Sequence, residues 1–174
     1  MFSKLFGRKQ KPAPQPSPES IYKALREGIF TTSPDEVGIV RSQDNPNVWG
    51  VVMETGFPEG VATLVSLADG TTSLYLESGG GIIGGGNHDN VANATKAVVR
   101  DAENYYGSLT QTASFPLPAV GSVRFFILTY SGVYTTEALE EDLGEERHHL
   151  TPLFYKCHDV ITALRELELI GEPT

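Results

Sequence analysis

The chain has one cysteine, Cys157, in 174 residues, so no internal disulfide can form. That suits a reducing compartment and sets the expectation of a cytoplasmic protein. No apolar run approaches the roughly 20 residues a membrane-spanning helix needs, and the N-terminus lacks the uninterrupted apolar core of a signal peptide. Positive charge is scarce outside the start of the chain. The net charge is −9, and the first eleven residues hold Lys4, Arg8, Lys9 and Lys11 with no acid, which leaves −13 on the remainder. An acidic body argues against nucleic acid as a partner, because neutralising phosphates takes clustered Lys and Arg. Neither a Gly-Lys-Ser/Thr phosphate loop nor a GxSxG nucleophile elbow occurs. No catalytic set and no cofactor are expected.

What is present is organised around residues 61–106. Val61, Thr63, Val65 and Leu67 alternate with Ala62, Leu64, Ser66 and Ala68, the period-2 signature of a strand. Asp69-Gly70 then reads as a primed hairpin turn, with a returning strand over Thr71–Glu77 that puts Leu74 and Leu76 on one face. Residues 78–87 follow with six glycines in eight positions. So much backbone freedom costs folding entropy unless the geometry requires it. One reading is a phosphate or anion cradle at a helix start, with Gly84, Gly85, Gly86, Asn87, His88 and Asp89 as ligand-binding residues. The other is a bulged connection in which Ile82 and Ile83 pin the loop to the core.

Asn87 or Asp89 can cap the next helix. Val91, Ala94, Val98, Ala102 and Tyr105 give it an apolar stripe of about five turns, stopped by Gly107. Its buried residues are small, which predicts close packing on a sheet.

Earlier in the chain, Phe2, Leu5 and Phe6 can share one face of a short helix ringed by the four cations. This suits a weak contact with a membrane surface or an acidic partner; the alternative is a disordered basic tail. Prolines at 12, 14, 16 and 18 make an extended spacer, dividing the chain into a tail over 1–17 and one domain over 18–172. Ser17-Pro18-Glu19 opens a helix with Ile21, Tyr22 and Leu25 on its apolar side, stopped at Gly28 with Ile29 and Phe30 beneath. Turn signals at Ser33-Pro34-Asp35 and 44–47 flank a short strand at Val37–Arg41, and Val48–Thr55 forms the next strand, with Trp49 as a core anchor.

Beyond the long helix, Ser108–Gly121 reads as irregular. Val123–Ser131 is nearly continuously apolar, as a central strand covered on both faces should be, and Ser131-Gly132 turns into a strand at Val133–Thr136. The acids Glu137, Glu140, Glu141, Asp142, Glu145 and Glu146 read as a solvated or partner-facing loop rather than a divalent-cation site, since no rigid element converges them. A final helix from His149 to Leu169 carries a stripe of Leu150, Leu153, Phe154, Cys157, Ile161, Leu164 and Leu167. His148 and His149 are adjacent, as are Cys157 and His158. Neighbouring helical side chains diverge by about 100°, so no zinc site is expected and Cys157 is assigned to the core.

The fold class is therefore α+β: a mostly antiparallel sheet of about five strands with helices packed on it in two or three layers. LVSLADGTTSLYLES, the glycines before HDNVANATKAVVRDAENYY, the strand RFFILTYS and the closing LTPLFYKCHDVITALREL resemble the roadblock/dynein light chain group and its longin and profilin-like relatives across 48–169. The resemblance implies a non-enzymatic scaffold or regulator of small GTPases that forms a sheet-extending homodimer, with the long helix and Val123–Ser131 as dimer surfaces. Two functions follow as expectations. The first is a cytoplasmic protein-binding module. The second is a small-ligand or nucleotide-binding protein, with a hydrolase as one form of it, using Gly79–Asp89.

Overall fold

The computed structural model describes residues 13–171, with side chains to residue 168. The basic tail, with Phe2, Leu5 and Phe6, falls outside the described residues. The architecture is α+β. One antiparallel sheet holds β1 (Val48–Phe57), β2 (Gly60–Leu67), β3 (Thr72–Leu76), β4 (Gly81–Ile83), β5 (Thr110–Thr112), β6 (Ser122–Thr129) and β7 (Gly132–Leu139). Their order across it is β4-β3-β2-β1-β6-β7-β5. Against it pack α1 (Pro18–Thr31), α2 (Asp89–Ala102), the single-turn α3 (Glu140–Gly144) and α4 (Thr151–Gly171).

The central strands are apolar on both faces because both faces are covered. Val51, Met53, Leu64, Val123, Phe125 and Ile127 meet Val91, Val98, Val99 and Ala102 of α2 and Leu153, Cys157, Val160 and Leu164 of α4. Trp49, Val52, Val61, Val65, Phe126 and Leu128 face the other way, onto Tyr22 of α1, with Leu25, Ile29 and Phe30 half-buried beside them. A register shift between Val48 and Gly50 breaks the alternation, so that Trp49 faces the α1 side while Val51, two residues on, faces the other core. The Trp49 indole N–H is satisfied by the Thr129 carbonyl at 3.2 Å.

Several boundaries differ from the sequence reading, each for a local reason. Helix α1 opens at Ser17, whose side chain accepts from the Ser20 N–H as expected. It runs through Gly28 to Thr31 and ends where Ser33 precedes Pro34, a position that disfavours helical backbone. Ile21, expected on the buried side, is exposed. Residues 37–41 form no strand: Gly38 is left-handed (φ 73°) and closes a turn back to Asp35, so only Ile39 is buried. The β2–β3 connection is a three-residue loop rather than a two-residue turn. The Leu67 N–H reaches the Thr71 carbonyl at 2.9 Å across Ala68-Asp69-Gly70, with Gly70 at φ 94°.

In the glycine-rich stretch, Ile82 packs on the α2/α4 core but Ile83 is two-thirds exposed, so one isoleucine pins the loop, not two. Helix α2 is capped at His88 with no side-chain bond, not by Asn87 or Asp89, and stops at Ala102, short of Tyr105 and Gly107. The segment expected to be irregular contributes β5, which pairs with β7 at Thr135, Tyr134 and Val133. With β4 and β5 at its two edges the sheet has seven strands where about five were expected. β6 lies between β1 and β7; it has no free edge, so it cannot be the sheet-extending dimer surface that the resemblance implied.

Candidate functional site: a groove at the head of the first helix

Glu54 is the one acid in the apolar strand VWGVVMETGF, and its side chain is fully buried on the α1 side of the sheet. A carboxylate so placed must be paired and hydrogen-bonded to be tolerated. Arg26 of α1 supplies the pairing: its Nε lies 2.6 Å from Oε1 and its Nη2 2.9 Å from Oε2. Nη2 also donates to the Phe115 carbonyl at 2.8 Å, and the guanidinium sits 5.1 Å above the Phe30 ring. Phe30 in turn stacks on Phe115 with ring centroids 4.3 Å apart. One ion pair thus fastens α1, β1 and the segment after β5 together.

The registers extend this pair into a row crossing five strands on the same face. Tyr75 stands opposite Thr63, Thr63 opposite Glu54, Glu54 opposite Arg124 and Arg124 opposite Glu137. Thr63 Oγ1 donates to Glu54 at 3.1 Å and shares a 2.9 Å bond with the Tyr22 hydroxyl. Arg124 pairs with Glu137, which also accepts from the Ala119 N–H at 3.0 Å. Burial pushes the Tyr22 phenol up to about 12 and raises that of Tyr75 further, with the Glu54 charge adding to both. Neither tyrosine is a proton acceptor near neutrality. The row clamps the helix and carries no nucleophile.

The row sits behind the end of the domain where the head of α1 abuts two turns. Gly79 there meets Pro18 so closely that a Cβ would lie 3.0 Å from the proline ring. Four adjoining clefts surround this junction. One of about 150 Å³ is lined by Ile21, Tyr22, Tyr75 and Leu76, and shares Tyr22 with one of about 220 Å³ lined by Glu19, Lys23, Arg26, Glu27 and Leu117. Glu19 and Glu77 connect that cleft to one of about 330 Å³ against Pro58 and Glu59. The fourth, about 250 Å³, is lined by Phe57, Val61 and Leu76. Together they form a groove that wraps the end of the sheet, with Ile21 and Leu117 exposed on its α1 face, Phe57 and Leu76 exposed on the opposite face, and Glu19, Glu27, Glu59 and Glu77 along its rim. Lys23 lies 3.9 Å from Glu27 and Arg26 is committed to Glu54, so negative charge prevails.

The residues singled out in the glycine-rich loop are contiguous at the start of α2, with Gly84, Asn87, His88 and Asp89 exposed. Their glycines answer to packing. A Cβ at Gly86 would come 2.2 Å from the Gly70 carbonyl oxygen, and one at Gly85 2.3 Å from Leu164 Cδ2. The Asn87 and His88 N–H groups are spent within the turn, on Gly84 and Gly85.

Cys157 is fully buried and its thiol is pushed up by that burial, so it belongs to the core. His148 and His149, with rings 4.6 Å apart, line an open cleft of about 450 Å³ with Tyr155 and Pro152. Burial and the neighbouring imidazole hold His148 below the usual histidine range. Among the described residues, no group of three or more His, Cys, Asp or Glu side chains is placed to hold a metal ion. The acidic segment does converge, on Arg147, which pairs with Glu141, Asp142 and Glu145. The sequence reading missed the Arg26–Glu54 pair; its signal was a lone acid inside an apolar strand.

Comparison with protein-family models, with curated proteins and with solved structures found no match.

Proposed function

We propose that this chain is a protein-binding, regulatory module whose contact surface is the groove at the head of α1. The observation that supports it is the exposure of Ile21, Phe57, Leu76 and Leu117 in adjoining clefts with a carboxylate rim. Clustered apolar side chains ringed by charge are the usual mark of a surface that is covered in a complex. The sequence resemblance to roadblock-like proteins, if carried over, suggests a protein partner, a small GTPase by class, and a pairing of two copies. With β6 internal, a sheet-extending pair would use β4, β5 or the stretch of β7 beyond β5.

The test is quantitative co-purification of the full-length chain from its native host, with wild type beside a Phe57→Ser/Leu117→Ser variant. Both positions are exposed, and exposed substitutions shift stability by only about 0.5 kcal/mol each. A partner enriched with wild type and lost from an equally stable variant supports the reading. Identical recovery by both contradicts it.

A further inference from the structure

We infer that the groove is occupied by the chain's own basic N-terminal segment, residues 1–12, acting as a tethered ligand that a partner must displace. The inference rests on the groove being a binding surface and names its resident occupant. Three observations carry it.

The first is place. The described chain runs without regular secondary structure from Ala13 into Ser17, and α1 begins at Pro18. Pro18 and Glu19 themselves line the groove. The segment is therefore delivered to the mouth of the groove by the covalent structure. Ten residues lie between Phe6 and Ser17, a span of up to ~40 Å when extended, ample to turn back across the clefts.

The second is chemistry. The groove offers Ile21 and Leu117 on the α1 face of the sheet and Phe57 and Leu76 round its end on the other, and the rim offers Glu19, Glu27, Glu59 and Glu77. The segment offers Phe2, Leu5 and Phe6 with Lys4, Arg8, Lys9 and Lys11, and no acid. Apolar meets apolar and cation meets carboxylate.

The third is the separation of charge. Four of the 13 basic residues lie in the first eleven positions, and all 22 acids lie after them. A tether this short holds its ligand at an effective concentration of order millimolar, so individually weak contacts suffice for occupancy.

The experiment replaces Phe6 in the full-length chain with a photo-crosslinking phenylalanine, in a mixture of ¹⁴N- and ¹⁵N-labelled copies, and maps the adducts by mass spectrometry. The expected result is single-isotope adducts concentrated on Ile21, Phe57, Leu76 and Leu117. They should fall several-fold in 0.5 M salt or in a Lys4→Glu/Arg8→Glu/Lys9→Glu/Lys11→Glu variant. Adducts scattered over the domain overturn the inference. So do mixed-isotope adducts, which place the segment on a second copy. Adducts to phosphatidylserine vesicles with none in the groove when vesicles are omitted also overturn it, by making lipid the target. Any of these, with partner recovery still lost in Phe57→Ser/Leu117→Ser, removes the tethered ligand and leaves the binding surface standing.

Discussion

Arg26 of α1 and Glu54 of β1 are joined through both nitrogen–oxygen contacts, at 2.6 and 2.9 Å, with the carboxylate wholly buried. Only Tyr22 among the α1 side chains is itself buried, so this pair carries much of what seats the helix. Arg26→Ala leaves a charge in the sheet without its counter-ion and is expected to cost about 3–5 kcal/mol. Replacing both partners with apolar residues, Arg26→Met with Glu54→Leu, should cost less than half as much. Urea unfolding of the three proteins measures it. A double variant as unstable as Arg26→Ala would show that shape rather than the stranded charge matters.

The two tyrosines of the row should respond in opposite ways. The Tyr22 hydroxyl bonds Thr63, whereas that of Tyr75 has no protein partner among the described residues. Tyr22→Phe should lose about 1 kcal/mol, and Tyr75→Phe should lose nothing or gain up to about 1 kcal/mol. The sign with pH follows from burial. Both phenols are raised in the folded state, so their neutral forms lend full stability below pH 10 and lose it as pH rises from about 10 through about 12 for Tyr22. Chemical denaturation between pH 8 and 11 should show stability falling above 10, less steeply in Tyr75→Phe.

Gly86 and Gly107 separate packing from flexibility. A Cβ at Gly86 would strike the Gly70 backbone, while Gly107 has open space around it. Gly86→Ala is expected to destabilise by about 1–3 kcal/mol or more, and Gly107→Ala to be near neutral, both read as melting temperature. The nucleotide or anion reading of Gly79–Asp89 predicts something further: a rise in melting temperature with millimolar nucleotides or phosphorylated metabolites. The packing account expects none.

Glu146 holds a left-handed backbone at φ 58° just past α3. Glycine adopts that conformation without a side-chain penalty. Glu146→Gly should therefore stabilise the domain by about 0.5–1 kcal/mol in the same denaturation assay, and a loss would mean that the exposed side chain makes contacts worth more than the strain.

Much of this fold was legible because periodicity reports burial directly. The alternation over 61–67 and the nearly continuous apolar run over 123–128 became β2 and β6, and the stripe through Leu153, Cys157 and Leu164 became the buried side of α4, with Leu150 buried just ahead of it. The edges were not legible. β4 and β5 have three residues each, too few for a pattern, and exist only because β3 and β7 present partners to them. The groove was hidden for a related reason: Ile21, Phe57, Leu76 and Leu117 are scattered over 97 positions and converge only once the sheet is assembled. A sequence read locally sees Ile21 as one more apolar helix position. Glu54 was readable in principle, since an acid in a buried strand demands a partner, but nothing local points to Arg26.

The account turns on whether the head of α1 is where this protein meets another. The most direct measurement places a photo-crosslinking residue at Leu76, at Leu117 and, as a distant control, at Tyr155 in the full-length chain, and compares intermolecular adducts formed in the native host. Adducts to one partner from Leu76 and Leu117 but not from Tyr155 are predicted. Equal adducts from all three positions, or adducts from Tyr155 alone, would contradict it.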